Sequence, residues 1–146
     1  MMERIPDGDS ASRRELVGRV LFYESGLHNC YGVANSRDEI VYLQWLIHPS
    51  DNKTLQRQYP RKFYPLSNNQ VMVENAFTLP THRGLGLMST VSLQLLHIAC
   101  DEGLKSAICY IRKDRISPLN EFIQMGFKIT KIATEYRILG KTWRKL

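Results

Sequence analysis

The stretch Leu79-Pro80-Thr81-His82-Arg83-Gly84-Leu85-Gly86-Leu87-Met88 follows an extended run, residues 71–78, and opens straight into a helical pattern. Two glycines one residue apart clear the backbone of bulky side chains. At a helix start, unpaired N–H groups and the positive end of the helix dipole face whatever approaches. That arrangement suits an anion, above all a phosphate or diphosphate. Arg83 adds a full positive charge at the same corner. A plain tight turn into a helix accounts for the glycines equally well, so the spacing alone leaves both readings open.

C-terminal to this corner, Leu87, Met88, Val91, Leu95, Ile98 and Ala99 form a stripe at helical spacing within residues 84–102, and Gly103 ends it. Residues 106–111 read as a short buried strand. Ser117-Pro118 reads as an N-cap followed by proline at the first helical position, with Leu119, Phe122 and Ile123 as the buried face. Residues 128–139 give at least one more strand, and 140–146 a basic tail around Trp143.

N-terminal to the corner, residues 29–34 and 39–48 read as two strands joined by a polar turn at 35–38. The second strand is aromatic and β-branched throughout and is expected to be central, buried on both faces. Ser12 and Glu15 have the spacing of a capping box opening a helix over 13–24. Leu16, Val17, Val20 and Leu21 supply its apolar face and Gly26 its stop. Residues 1–11 read as a disordered lead and 12–146 as one domain. Residues 49–70 are a polar connection carrying Lys53, Arg57, Arg61 and Lys62. Such length in a compact domain points to function or mobility.

The bulk numbers narrow the class without deciding it. A chain of 146 residues, 43% hydrophobic and 23% charged, has the length and composition of one globular domain. No apolar run approaches the roughly 20 residues of a membrane span, and the first residues lack the core of a secretion signal. Three cysteines, Cys30, Cys100 and Cys109, with no C-x-x-C spacing, argue against a disulfide framework or a metal site and fit a reducing cytoplasm. Cys100 and Cys109 read as small core residues. The net charge of +6 suits acidic ligands, nucleic acid or an anionic surface alike. Residues 128–146 carry six basic residues against one acidic, but no nucleic-acid-binding pattern accompanies them, and a solvated basic face is the better reading.

Pro80, Arg83, Gly84 and Gly86 stand in the pattern P-x-x-R-G-x-G, and Met125-Gly126-Phe127 follows roughly forty residues later. Together these resemble the GNAT (general N-acetyltransferase) superfamily, whose members bind acetyl-CoA or another acyl-CoA. The resemblance spans roughly residues 29–139. It implies an α/β (α+β) fold, a mixed, mostly antiparallel sheet flanked by helices. It also implies an acyl-CoA-dependent N-acyltransferase, acetyl-CoA being the expected co-substrate and a primary amine of a small molecule or protein the acceptor. The chain departs from the pattern at its start, with too few residues before 13–24 for the family's first strand and helix. Either the sequence begins late, or the sheet edge is exposed or covered by a partner, and a homodimer through that edge is then a hypothesis. The long 49–70 connection is a second departure.

The resemblance also assigns roles. The backbone of His82, Arg83, Gly84, Leu85, Gly86, Leu87 and Met88 would clamp the diphosphate. Ala76, Phe77 and Thr78 would lend backbone groups to the pantetheine arm, one N–H polarising the thioester carbonyl. Glu74 is the nearest carboxylate on that strand and a candidate base, although a solvent-facing strand residue is the better reading. His48 and Tyr42 are outside candidates; His28, His82 and His97 read as turn, loop and helix-surface residues. The tyrosine that many members place four residues before the last glycine is Phe122 here, and the asparagine that often contacts pantetheine is Arg115. Asp114, one residue earlier, is no better match. Ser117, Asn120 or water would stand in as acid, and a CoA thiolate, with a thiol pKa about 8–9, leaves tolerably without one. Tyr59, Arg61 and Tyr64, in the 49–70 connection, are proposed as a lid or acceptor wall, an ordinary surface loop being the equally open alternative. The same departures favour a rival reading, a GNAT-like module that binds acyl-CoA with little or no catalysis.

Overall fold

The computed structural model describes residues 10–145. In chain order the elements are α1 (Ser10–Glu24), β1 (Cys30–Ala34), β2 (Ile40–Ile47), α2 (Asn52–Gln58), β3 (Gln70–Thr78), α3 (Leu87–Asp101), β4 (Ser106–Ile108), α4 (Ile116–Gln124), β5 (Thr134–Ile138) and β6 (Lys141–Lys145). Four strands make one sheet in the order β1-β2-β3-β4, antiparallel except for the parallel β3–β4 pair. β5 and β6 form a separate hairpin. This is the mixed, mostly antiparallel α/β architecture that the sequence leads one to expect.

The two sheet faces bury different sets of side chains. On one, Phe22 of α1 and Leu55 of α2 pack with Trp45, Ile47, Phe63, Leu66 and Met72. On the other, Val91, Leu95 and Ala99 of α3 and Phe122 of α4 pack with Tyr42, Leu46, Val71 and Val73. β2 feeds both sets, so its apolar run, interrupted once, is that of a strand covered on both sides. Its polar member, Gln44, is fully buried yet satisfied, since its amide lies 3.0 Å from the Ser92 hydroxyl and the Tyr42 hydroxyl donates to it at 2.9 Å. Buried amides persist in a core only when paired in this way.

Several expectations need correction. α1 starts at Ser10, so Ser12 lies inside the helix and cannot cap it, and Ala11 is helical too; residues 1–9 of the supposed lead lie outside the described residues. The buried face of α1 centres on Arg19 and Phe22, leaving Val17 and Leu21 more than half exposed. Apolar residues are spread around this helix, and the sheet, not periodicity, selects the face that is covered. Residues 49–70 are not an open connection but hold a 3-10 turn, Pro49–Asp51, and α2. A seven-residue helix is too short to stand alone, and burial of Leu55, worth about 1.5–3 kcal/mol, anchors it. α4 begins at Ile116 with Arg115 as N-cap, so Ser117 sits in its first turn. Cys100 is exposed on the outer side of α3. The basic tail is strand β6, joined to β5 by a two-residue turn in which Leu139 and Gly140 both have positive φ, the conformation that matches hairpin twist.

Candidate functional site

β3 and β4 pair over only three positions, ending at Met72 opposite Ile108. Residues Val73 to Thr78 continue along β3 with no β4 partner. Opposite this split, β3 carries a bulge. Leu43 pairs with Phe77 and Trp45 with Glu74, so Gln44 faces both Asn75 and Ala76, and Asn75 has φ 59. Asparagine tolerates that left-handed conformation better than most residues. The extra residue shifts the alternation of side chains along the strand. Phe77 thereby returns to the α1 side of the sheet, the side on which Glu74 lies.

Glu74 sits where the ladder stops. The residue as a whole is half-buried, but its Oε2 has no contact with solvent and no hydrogen-bond partner. The backbone amides of Asn75 and Tyr110 reach its carboxylate, which takes up an N–H that a continuing ladder would have given to the β3 backbone. Burial pushes this carboxyl above the ordinary glutamate range, against the opposing pull of Arg144, the two amides and Lys62. Glu74 is thus a walled-in acid and not a solvent-facing strand residue.

The wall comes from three elements. From α1, Arg19 donates to the carbonyl of Ala76 at 3.1 Å and to that of Glu15 at 3.1 Å, with its guanidinium over the Phe77 ring. Its Nε is buried without a partner, and burial lowers its pKa while Glu15 and Glu74 oppose that. From the 59–64 segment, Lys62 holds its ammonium over the rings of Tyr59 and Phe63, with no ion pair among the described residues. From β6, Arg144 lies over Tyr110 and Phe63, pairs with Glu135 at 3.1 Å and donates to the carbonyl of Lys62 at 2.8 Å.

The glycine corner lies at the far end of β3. After a 3-10 turn, Pro80–His82, Gly84 and Gly86 adopt φ 76 and 71, and Gly86 is the left-handed N-cap of α3. A Cβ added at either glycine would meet nothing within 4 Å, so the space in front of this backbone is open. The first intrahelical bond runs from Thr90 N–H to Gly86 C=O at 3.0 Å, leaving the amides of Leu87 to Ser89 without a partner inside the helix. Arg83 is exposed beside them and His82 is half-buried, its Nδ1 2.9 Å from the Thr81 hydroxyl.

The remaining candidates fall into place unevenly. Arg115 lies 4.0 Å from Glu15 and in the electrostatic range of Arg19, at the α1 side of the split. The Ala76 carbonyl is already bound to Arg19, so a pantetheine arm would have to share it. Ser117 is exposed. Tyr59 is half-buried and packs against Phe22 at the margin of one core cluster, with ring centroids 5.2 Å apart. The Tyr64 amide donates to the Tyr110 hydroxyl at 3.1 Å, and Arg61 contributes its backbone, its carbonyl accepting from the Arg144 amide at 3.0 Å. His48 is tied to Glu102 at 2.7 Å and to Asn29 at 3.3 Å, and Tyr42 is buried in the core. Phe122 is 5% exposed and edge-on to Phe127 with centroids 5.0 Å apart. Sequence reasoning missed Arg19, Lys62, Tyr110 and Arg144. Their only signal was basic or aromatic type, which does not say what they will meet. A shallow groove of about 180 Å³ between α3 and β4, lined by Leu96, Cys100, Leu104 and Ser106, lies at the other end of the sheet from the glycine corner.

No protein-family model matches the sequence, and no curated protein matches it significantly. The fold has clear counterparts among solved structures. A protein named as an acetyl transferase from Pyrococcus furiosus is 16% identical, with a TM-score of 0.62 over 94% of this chain and 84% of that one. A transcriptional regulator from Bacillus halodurans C-125 is 17% identical, with a TM-score of 0.60 over 90% and 87%. An aminoglycoside N-acetyltransferase in complex with CoA is 13% identical, with a TM-score of 0.59 over 92% and 96%. At such identities the likeness establishes the fold alone, the mixed, mostly antiparallel α/β sheet flanked by helices that these proteins share. Among the described residues no helix is long and apolar enough to cross a membrane.

Proposed function

We propose that this chain is an acyl-CoA-dependent N-acyltransferase, with acetyl-CoA as donor and a primary amine as acceptor. One observation carries the reading: an open, glycine-lined helix N-terminus and a split strand pair with a buried carboxylate at its apex lie on one strand, β3. Acetyl-CoA supplies an acyl group activated as a thioester. The backbone from His82 to Met88 would hold its diphosphate, and the free edge of β3 from Ala76 to Thr78 its pantetheine arm. The amine nitrogen bonds to the thioester carbonyl carbon as the carbon–sulfur bond breaks. Glu74 takes the proton that the amine must lose, and its raised pKa brings the base nearer the working pH. Sulfur leaves as thiolate and takes its proton from water, since Phe122 has none to give.

The test is calorimetric titration of the protein with CoA and acetyl-CoA, followed by thiol release from acetyl-CoA across a panel of amines. Binding that Gly86→Val weakens by about tenfold or more, with amine-dependent thiol release, is expected. Absence of binding at millimolar CoA would sink the proposal. A second reading, a CoA-binding module without turnover, is favoured by the burial of Phe122 in the core. It predicts binding with no amine-dependent release. The same fold serves an acetyltransferase and a protein named a transcriptional regulator, which keeps both readings in play.

A further inference from the structure

Among the described residues, two buried side-chain atoms lack a hydrogen-bond partner: Glu74 Oε2, an acceptor, and Arg19 Nε, a donor. They are not scattered. Glu74 stands at the apex of the split, and Arg19 bridges to Ala76, two residues further along the same strand, with Glu74 in its electrostatic range. A buried orphan costs free energy that a paired group does not, so two complementary orphans beside the place where β3 and β4 cease to pair mark a place for a ligand. Arg19 directs one bond from each Nη group to a backbone carbonyl, of Glu15 and of Ala76, and neither of these bonds goes to Glu74. Beyond them, Lys62 carries an ammonium without an ion pair, and Arg144 adds a second cation.

We propose, on the footing of the transferase reading above, that the acceptor is a zwitterion: an amine with a carboxylate a few bonds away. Its nitrogen meets Glu74 Oε2 and its carboxylate meets Arg19 Nε. Each orphan then gains the partner its chemistry lacks, and the charge-assisted bond to Arg19 is the stronger kind. The same arrangement rejects polycations. An aminoglycoside would bring several ammonium groups against Arg19, Lys62 and Arg144, where like charges repel in a poorly solvated site. The acceptor class of the aminoglycoside N-acetyltransferase that shares this fold therefore does not carry over.

The experiment compares amino acids with their own amino alcohols, alanine against alaninol and glycine against ethanolamine, with an aminoglycoside as third arm. Thiol release gives kcat/KM for each, and calorimetry gives CoA affinity. The carboxylate-bearing member of each pair is expected to be favoured by about tenfold or more, the worth of one charge-assisted hydrogen bond. Arg19→Met is expected to collapse that ratio while CoA still binds. Because the ratio is internal to one protein sample, a general loss of stability leaves it unchanged. Should Arg19→Met fail to fold, Arg19→Lys, which keeps the charge but loses the Nε donor, should narrow the ratio instead. Thiol release that is equal for the paired amines, or faster for the amino alcohol or the aminoglycoside, would overturn the zwitterion assignment and leave the transferase standing. CoA binding with no release from any amine would remove both, and no CoA binding would remove the donor site as well.

Discussion

The Arg144 guanidinium donates at 2.8 Å to the carbonyl oxygen of Lys62, so the last strand closes over the segment that walls in Glu74. The same side chain pairs with Glu135 and covers the rings of Phe63 and Tyr110, and its backbone amide bonds to the Arg61 carbonyl. One residue thereby fastens the β5–β6 hairpin to the body of the protein. The strands of that hairpin contribute no residue to either main core cluster.

Arg144→Met should therefore destabilise the protein by about 1–3 kcal/mol in urea denaturation, the value of a half-buried cation bonded to carbonyl and carboxylate. Amide exchange across Thr134 to Lys145 should quicken far more than in β2. Unchanged protection in the hairpin would show that something other than Arg144 holds it.

Glu74 is harder to ionise in the folded protein than in the unfolded chain, because burial raises its pKa. Below the ordinary value of about 4.5 both states hold the proton, and the group is neutral to stability. As pH rises above that value, the unfolded carboxyl ionises first, so the group costs stability increasingly until it ionises in the folded state too. Glu74→Gln should therefore match the parent near pH 4 and melt above it near pH 7. If Glu74 is the base, the same variant should lose roughly 10²–10⁴-fold in kcat, and the acid limb of the parent's pH–rate profile should lie above the ordinary glutamate range. A parent that is the more stable of the two at neutral pH would contradict the burial argument.

Gly86 sits at φ 71 with open space before it. Gly86→Val should cost only the left-handed backbone strain, about 1–2 kcal/mol, because no neighbour is displaced. CoA affinity should fall by about tenfold or more, since the new side chain occupies the space before the α3 amides. Calorimetry beside a denaturation curve separates the two effects. Full affinity in a folded variant would remove the diphosphate clamp from this corner.

Phe122→Tyr introduces the tyrosine that the resemblance noted in the sequence leads one to expect at this position. Here the ring is buried against Phe127, so the added hydroxyl should find no partner and cost about 1–3 kcal/mol. Thiol release should not rise. A faster variant would mean that the ring reaches the split in solution.

The sequence by itself determined the pieces whose information is local. The stripe of α3 falls at helical spacing, the run of β2, apolar but for Gln44, requires cover on both faces, and Gly84 and Gly86 permit the left-handed corner whatever surrounds them. Identity at positions 122 and 115 was readable too, as departures from a known pattern. Tertiary structure alone decided which face of α1 points inward, because its apolar residues surround the helix and the sheet chose Arg19 and Phe22. It alone made α2 a helix, through one buried leucine, and turned the basic tail into a strand that latches on Lys62. It alone buried Glu74, since a carboxylate on a strand is solvent-facing or walled in according to neighbours up to seventy residues away in the chain. Periodicity encodes a residue's own backbone state, whereas desolvation, pKa and unmet hydrogen bonds are properties of what comes to lie beside it.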